Sequence, residues 1–263
     1  MAKYLTEFNT YADYQAATLS LPNVSLIKST GEVYYKNIFA GASLGDILMW
    51  DNVNNKLVTT IGGNWDSTTY PIAQYEPIAI NVYPASQASD GKSRYMALKW
   101  VSNASATGSA SATGSVSNAA LRWGPNAFSP STDTTALNGR ANTDKAVAAM
   151  PNTSGNTQAE YPAFYAVNIF YTNGTSANDW YLPSQGELSL YQSNYAGINA
   201  KITAIKNASS SIVKTINADM WTSTCDANQR AIMLRTNVSF NAVQKGAPDG
   251  WGGNVYARAM IAL

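Results

Sequence analysis

Few side chains in this sequence are suited to covalent catalysis. Histidine is absent from the 263 residues, which removes Ser-His-Asp and Cys-His mechanisms and the commonest zinc ligand. Cys225 is the single cysteine, so neither an intrachain disulfide nor a thiolate metal cluster can form. Because a thiol needs a basic or cationic neighbour to become a nucleophile, we expect Cys225 to be an inert packed residue. These residue types predict a protein that is not an enzyme and carries no cofactor.

The acidic side chains offer two further kinds of chemistry. Asp226 and Asp249 could supply oxygen ligands to calcium, but no EF-hand spacing is present. We therefore expect solvated loop acids and no metal site. Glu187 lies three residues after Ser184, which is the spacing of a capping box at a helix N-terminus. We expect Glu187 to be a helix cap rather than a general base.

Hydrophobic periodicity places helices around these residues. Helices are predicted over residues 10–17, 143–150 and 160–170, and another is predicted to start after Pro183. The residues that repeat at helical spacing after Pro183 are Leu188, Tyr191, Tyr195, Ile198, Ile202 and Ile205.

Alternating apolar residues and turn signals predict strands in the first hundred residues and at the end of the chain. The predicted hairpins and strands are Val24–Ile27 with Val33–Tyr35, Ile47–Trp50 with Lys56–Thr60, Pro77–Tyr83 and Tyr95–Val101. A half-buried strand is predicted over Val255–Leu263, where apolar residues alternate. The fold class predicted from these elements is α+β.

Composition divides the chain into three parts. Residues 1–101 are predicted to be a small β-rich domain. Residues 102–118 are rich in Ser, Gly and Ala, and Ser105–Ser109 is repeated at Ser111–Ser115. This segment is expected to be a linker or an exposed loop, and composition alone does not separate the two. Residues 119–263 are predicted to be a second domain with both helices and strands.

The overall composition excludes two classes of partner. Only 13% of the residues are charged, the net charge is +1, and no run of Lys or Arg occurs. Nucleic-acid binding needs a basic footprint, so it is not expected. No apolar run reaches 18 residues, so no membrane insertion is expected. The N-terminus lacks the apolar core of a secretory signal.

Five blocks in the second half of the chain occur in an order that resembles a known family. They are Leu137–Thr143, Glu160–Ala163, Asp179–Leu188, Trp221–Thr224 and Tyr256–Ala259. Together they resemble the C-type-lectin-like domain of diversity-generating retroelement variable proteins, whose fold is shared with the formylglycine-generating-enzyme superfamily. Trp-Thr-Ser-Thr stands at Trp221–Thr224 where Trp-Ser-Ser-Thr is usual. The resemblance spans residues 120–263 and implies a ligand-displaying domain in which Trp221 and Arg258 belong to the scaffold.

The first hundred residues resemble structural proteins of phages of gut anaerobes. The stretches that carry this resemblance are Leu21–Ile27, Gly45–Trp50 and Asp90–Arg94. Both resemblances together imply a receptor-binding protein at a phage tail tip. Its partners would be a host bacterial surface receptor, either protein or glycan, and other virion tail proteins. A virion location agrees with the lack of a visible secretory signal, because phage particles leave the cell by lysis. A homotrimer fits a tail tip, although no sequence pattern specifies one.

The resemblance also implies where the ligand binds. In the family, diversified positions lie between the Trp-Ser-Ser-Thr block and the terminal Arg-Ala strand, which corresponds here to Cys225–Asn254. This sequence departs from the family pattern at Met233, Ala242 and the Gly-rich stretch Gly246–Gly253. The ligand-binding candidates are Asp226, Asn228, Gln229, Arg230, Ile232, Arg235, Asn237, Ser239, Asn241, Val243, Asp249, Trp251 and Asn254.

The side-chain types in this segment suit reversible binding. Asn amides both donate and accept hydrogen bonds, Arg guanidinium groups donate through a planar fork, and Trp251 offers a flat apolar surface. Aromatic anchors ringed by adaptable polar groups are typical of antibody paratopes. A rigid α/β body beneath them would keep the ordering cost of binding low.

Two alternative functions stay open at this point. The chain could be a structural virion component, in which residues 1–101 dock to the tail and the second domain only caps it. It could also be an enzyme of the formylglycine-generating type. That chemistry uses a cysteine pair in the family, whereas this chain has only Cys225.

Overall fold

The fold is α+β, as predicted, with helices packed around antiparallel sheets. A computed structural model describes residues 5–8, 24–27, 32–35, 39, 41–60, 62, 65–103, 110–115, 121–125, 127–150, 161–213, 218–228, 230–235, 239–243 and 255–263. The helix predicted over residues 10–17 lies outside the described residues.

The described elements are strands β1–β14 and helices α1–α4. In chain order the strands are Leu5–Phe8, Val24–Ile27, Glu32–Tyr35, Ile47–Asp51, Lys56–Thr59, Tyr75–Tyr83, Arg94–Ala97, Trp100–Asn103, Ala110–Ser115, Asp219–Cys225, Ala231–Arg235, Ser239–Val243, Val255–Tyr256 and Met260–Ala262. The helices are Gly139–Ala149, Pro162–Ile169, Gln185–Ser193 and Tyr195–Ala208.

The strands form four sheets. A five-stranded sheet has the order β14-β7-β6-β4-β5, and a four-stranded sheet has the order β12-β11-β10-β13. The strands β1-β2-β3 form a third sheet, and β8 pairs with β9. Both predicted hairpins are confirmed, since β2 pairs antiparallel with β3 and β4 pairs antiparallel with β5.

The two predicted domains, residues 1–101 and 119–263, share a sheet in the described part of the chain. Strand β14 lies next to β7, with Ile261 opposite Tyr95, so Met260–Ala262 adds a strand to a sheet built from residues 47–97. The Ser/Gly/Ala-rich segment contains β9, which pairs with β8. Composition marked this segment correctly as unusual but could not show that sequence-distant strands share one sheet.

The predicted strand Val255–Leu263 is also corrected. It consists of two short strands in different sheets, β13 beside β10 and β14 beside β7. Arg258 lies between them and is only 1% exposed, so this segment is buried rather than half-buried. The chain therefore links the two larger sheets through its last nine residues.

Helices cover both faces of the five-stranded sheet. Alternate residues of β4 enter two different apolar clusters, with Leu48 in one and Ile47 in the other. Helices α1 and α2 contribute Ala146 and Phe164 to the first cluster. Helices α3 and α4 contribute to the second cluster, where the predicted helical face is confirmed as buried. Its buried members are Leu188, Tyr191, Ile198, Ile202 and Ile205.

Candidate functional site

The predicted ligand-binding segment begins at the turn after β10 and continues through the β11–β12 pair. Strand β11 pairs antiparallel with β12, and Arg235 lies opposite Ser239 at the end of the pair. The side chains of Asn228, Arg230, Arg235 and Ser239 are exposed. Asn241 is half-buried, and its amide donates to the Ser239 hydroxyl at 3.2 Å. Polar side chains are therefore exposed at both ends of β11, at the turn before it and at the end where Arg235 lies opposite Ser239.

The turn between β10 and β11 is closed by an ion pair. The Asp226 carboxylate accepts from the Arg230 amide at 2.7 Å and from its guanidinium Nε at 2.7 Å. Partial burial opposes ionisation of Asp226, but these hydrogen bonds hold its pKa below the usual value. Asp226 is therefore charged at neutral pH and is held by its own turn, which leaves the outer face of the Arg230 guanidinium to a ligand.

Two of the predicted ligand-binding positions are buried. Ile232 is 5% exposed and Val243 is 3% exposed, so both side chains offer little surface to a ligand. Strand β11 lies between β10 and β12, which pair with its two edges. Val243 belongs to the same apolar cluster as Trp221 and Met233. The family resemblance indicates the segment but does not distinguish its exposed positions from its buried ones.

Five predicted positions lie outside the described residues. They are Gln229, Asn237, Asp249, Trp251 and Asn254. Their assignment to the ligand surface stays a prediction.

Strand β10 of the same sheet is anchored by two tryptophans. The Trp221 indole donates to the Leu121 carbonyl at 2.6 Å, and the Trp123 indole donates to the Thr222 carbonyl at 2.5 Å. Both side chains are buried. Because each indole N–H has a partner, the two rings can be buried without the cost of an unsatisfied donor.

The rest of the Trp-Thr-Ser-Thr block joins β10 to the start of helix α3. The Ser223 amide donates to the Pro183 carbonyl at 2.7 Å, and the Thr224 hydroxyl accepts from the Gln185 amide at 3.0 Å. The Asn142 amide of helix α1 donates to the Ser223 hydroxyl at 3.1 Å. Three of the blocks that carry the family resemblance are therefore in direct contact.

The predicted capping box at helix α3 is confirmed, and it extends into a buried network. The Ser184 hydroxyl accepts from the Glu187 amide, and the Glu187 carboxylate accepts from the Ser184 amide at 2.8 Å. The same carboxylate accepts from the Tyr181 hydroxyl at 3.0 Å and from the Arg94 Nε at 3.4 Å. Burial raises the pKa of Glu187, although these donors oppose the effect.

Arg94 connects this network to the five-stranded sheet. It is 2% exposed, and its guanidinium donates to both carboxylate oxygens of Asp90, at 2.5 and 2.7 Å. Sequence reasoning did not identify the contact between Arg94 and Glu187, because these residues are 93 positions apart. With Glu187 only 1% exposed and bound on all sides, its role is that of a cap.

Arg258, which the resemblance assigns to the scaffold, is buried against an aromatic ring. Its guanidinium carbon lies 4.1 Å from the centroid of the Trp100 ring, and the residue is 1% exposed. Burial lowers the pKa of Arg258 to about 10, so the side chain is still charged at neutral pH. A cation stacked on an aromatic face in a dry interior is a stabilising arrangement.

Two predictions about catalysis and metals concern residues near this site. Cys225 is completely buried at the end of β10, where a thiol is shielded from substrate. Among the described residues, His, Cys, Asp and Glu form no group of three that could hold a metal ion. Within that same part of the chain, no helix is long and apolar enough to cross a membrane.

The structure also contains a cavity that was not predicted from the sequence. A cavity of about 490 Å³ lies beside β14, with Arg140, Asn178 and Asp179 among its lining residues. Nothing in the local pattern of these residues signals a cavity, because they belong to a helix start and a loop nearly forty positions apart.

Comparison with known proteins adds one distant structure. No protein-family model and no curated protein matches the chain. A fimbrial protein from Bacteroides ovatus is similar in structure, with 12% sequence identity and a TM-score of 0.49. The alignment covers 84% of this chain and 49% of the fimbrial protein, so the chain spans about half the length of that structure.

Proposed function

We propose that this protein is a receptor-binding adhesin with a C-type-lectin-like scaffold that displays a variable ligand-binding surface. The surface comprises the β10–β11 turn and the end of the β11–β12 pair at Arg235 and Ser239, together with the candidate residues up to Asn254. The observation that carries the proposal is the contrast between the ends of β11 and the neighbouring strand β10. Polar side chains are exposed at both ends of β11, while the block Trp221–Thr224 of β10 is buried and hydrogen-bonded.

The exposed side chains match the chemistry of a protein or glycan receptor. Asn228 and Asn241 can donate and accept, while Arg230 and Arg235 add planar donors. Sheet pairing holds Arg235 and Ser239 opposite each other, so they lose little backbone freedom on binding. Substitutions at exposed strand positions change ligand contacts while the ladder hydrogen bonds stay in place, which is the property that a diversified surface requires.

The proposed biological setting is a phage tail tip, where the protein would attach the particle to a host bacterium. The contacts between Trp221–Thr224, Pro183–Gln185 and Asn142 support the C-type-lectin-like scaffold, because they join blocks from the family resemblance. Attachment to other tail proteins and assembly as a homotrimer belong to the same proposal. Antibody labelling of phage particles, viewed by electron microscopy, would test the tail-tip location.

Sequencing the gene in many sister isolates is the first test of the proposal. We expect substitutions to accumulate in codons 225–254, at adenines, while the codons for Trp221 and Arg258 stay constant. Ile232 and Val243 should vary less than Arg235 and Ser239, because their side chains are buried. Substitutions spread evenly along the gene would overturn the diversified surface.

Cell binding is the second test. The fluorescently labelled full chain would be incubated with a panel of gut-anaerobe isolates, and bound protein would be measured by flow cytometry. We expect binding to a subset of isolates, reduced by Arg235→Ala. Tyr171→Ala is a matched control, because Tyr171 is also exposed but lies in a different loop. If no isolate binds the protein, or if both variants bind equally well, the structural virion component becomes the better explanation.

A further inference from the structure

The cavity beside β14 combines an apolar floor with a polar rim. Leu57 and Ile261 provide apolar surface, while Arg140, Asn178 and Asp179 provide polar groups. Its volume of about 490 Å³ lies in the range of roughly 300–1,000 Å³ that small-molecule sites occupy. None of these residues belongs to the proposed receptor-binding surface on β10 to β12.

The Arg140 side chain is held in place at the rim. Its guanidinium donates to the Asp179 carbonyl and lies 4.9 Å from the centroid of the Tyr181 ring. One of its terminal nitrogens is 3.7 Å from the Asp144 carboxylate. Arg140 lines the cavity, and its guanidinium carries five N–H groups, so these contacts leave donors for a ligand. Arg140 is therefore a prepositioned donor with little conformational freedom to lose.

The loop opposite Arg140 supplies both donors and acceptors. Asn178 adopts a left-handed backbone with φ of 72°, which holds its exposed amide at the rim. One oxygen of Asp179 accepts from the Ser176 amide at 2.6 Å, and this bond fixes the orientation of the carboxylate. The amide can donate and accept, and the carboxylate accepts, so neighbouring hydroxyl groups of one ligand could be bound together.

The charges around the rim disfavour an anionic ligand. Arg140 is accompanied by Asp179 in the lining and by Asp144 next to it, so its positive charge is locally balanced. A carboxylate or phosphate would face the two aspartates as well as the arginine. A neutral ligand rich in hydroxyl groups meets no such repulsion, and its C–H faces can pack on Leu57 and Ile261.

We propose that this cavity binds a neutral saccharide of one or two rings, as a site separate from the receptor-binding surface. Arg140 and the Asn178 amide donate to the sugar oxygens. Asp179 accepts from the sugar hydroxyls, and the apolar floor contacts a ring face. The proposal stands independently of the adhesin function.

The experiment uses the full chain and a pair of matched substitutions. Asn178→Gly removes the amide and keeps the backbone, because glycine readily adopts a positive φ. Asn55→Gly is the control, since Asn55 also has a positive φ of 50° but does not line the cavity. Thermal unfolding of both variants establishes that they are folded. Asp179→Asn is a second cavity variant that changes the carboxylate and leaves its size almost unchanged.

Binding would be measured by saturation-transfer-difference NMR with D-glucose, D-galactose, N-acetyl-D-glucosamine and maltose, and with D-glucuronate and L-leucine as charged comparisons. We expect at least one neutral sugar to bind, and Asn178→Gly to raise its Kd about tenfold, as for the loss of one or two hydrogen bonds. Asn55→Gly and Arg235→Ala should leave the Kd unchanged.

Three results would overturn the saccharide site. They are no binding of any neutral sugar, equal binding by Asn178→Gly and the wild type, and preferential binding of D-glucuronate or L-leucine. Loss of cell binding in Arg235→Ala with intact sugar binding would show that the two sites act separately. Sugar binding without any cell binding would reject the adhesin proposal and support the saccharide site in the cavity.

Discussion

Strand β10 and the exposed residues of β11 and β12 differ in how their side chains are held. In β10, Trp221 is 2% exposed and its indole N–H has a carbonyl partner, and Ser223 and Thr224 are bonded to other elements. In β11 and β12, Arg235 and Ser239 are exposed, and they are held by the backbone ladder and by the Asn241 amide, which donates to the Ser239 hydroxyl. The same sheet therefore carries one set of residues fixed by packing and another set fixed mainly by pairing.

This difference separates positions that can change from positions that cannot. Substitution in the Trp221–Thr224 block removes buried contacts and hydrogen bonds, so the loss appears in folding stability. Substitution at Arg235 or Ser239 removes groups that solvent already surrounds, so stability changes little. A surface can vary freely only when its supporting residues do not vary, and the measurements below test whether these two sets of residues obey that rule.

The largest expected effect belongs to Trp221. Trp221→Ala should lower the free energy of unfolding by about 3–5 kcal/mol, because it opens a cavity in the core. Chemical denaturation measures this change. Tyr171→Ala, at a side chain that is 42% exposed, should cost less than about 1 kcal/mol. Similar losses for both variants would contradict the distinction between buried and exposed aromatic residues.

A smaller effect is expected where two family blocks approach each other closely. A Cβ added at Gly139 would meet the Glu187 carboxylate and the backbone of Leu182 and Ser184. Gly139→Ala should therefore destabilise the protein by about 1–3 kcal/mol through overpacking. Gly197→Ala is the matched control in helix α4, where a Cβ meets nothing within 4 Å.

The control should stabilise the protein by up to about 1 kcal/mol, as expected for Gly replaced by Ala in a helix. Differential scanning calorimetry distinguishes the destabilisation expected for Gly139→Ala from the stabilisation expected for Gly197→Ala. A neutral Gly139→Ala would mean that the start of helix α1 is free to move away from Glu187.

The exposed residues should show the opposite pattern, with binding altered and stability retained. Arg235→Ala should change the free energy of unfolding by less than about 0.5 kcal/mol. If Arg235 and Trp251 are receptor anchors, Arg235→Ala and Trp251→Ala should each weaken cell binding by more than about 1 kcal/mol. A titration of labelled protein on a binding isolate provides the affinities. Lost stability with intact binding would exchange the roles of the buried and the exposed residues.

The smallest effect concerns the pH dependence of stability that arises from the buried hydrogen-bond network around Glu187. Burial raises the pKa of Glu187 above its ordinary value of 4.5, so the folded protein holds this proton more tightly than the unfolded chain. This contribution to stability is complete below pH 4.5 and is lost as the pH rises through the folded pKa. Glu187→Gln keeps the capping geometry and removes the titration.

Denaturation of both proteins from pH 4 to pH 8 would measure this contribution. We expect the stability of the wild type relative to Glu187→Gln to decrease with rising pH, by about 1 kcal/mol or more for each unit of pKa change. A relative stability that increases with pH would mean that Arg94 and Tyr181 outweigh burial.

Local sequence patterns predicted the local parts of this structure. The Ser184–Glu187 spacing predicted a capping box, and the structure contains both of its hydrogen bonds. The apolar repeat at Ile198, Ile202 and Ile205 predicted a buried helix face, and all three side chains are buried. These predictions succeeded because helix caps and helix faces depend on residues only three or four positions apart.

Long-range packing was not predictable in the same way. Arg94 binds Glu187, and β14 joins a sheet formed by residues 47–97, but no spacing in the sequence predicts either contact. Val243 is buried in an apolar cluster that also contains Phe164 of helix α2, a residue distant along the chain. The cavity beside β14 also results from long-range packing, since its lining combines the start of a helix with a separate loop.

The residue types determined the fold class and the local helices and hairpins, because these follow from composition and short-range periodicity. The tertiary structure decided which candidate side chains reach solvent. Arg235 and Ile232 lie three positions apart in one strand, yet one is exposed and the other is buried. The physical reason is that a side chain's exposure is set by the elements packed against it, and those elements come from other parts of the chain.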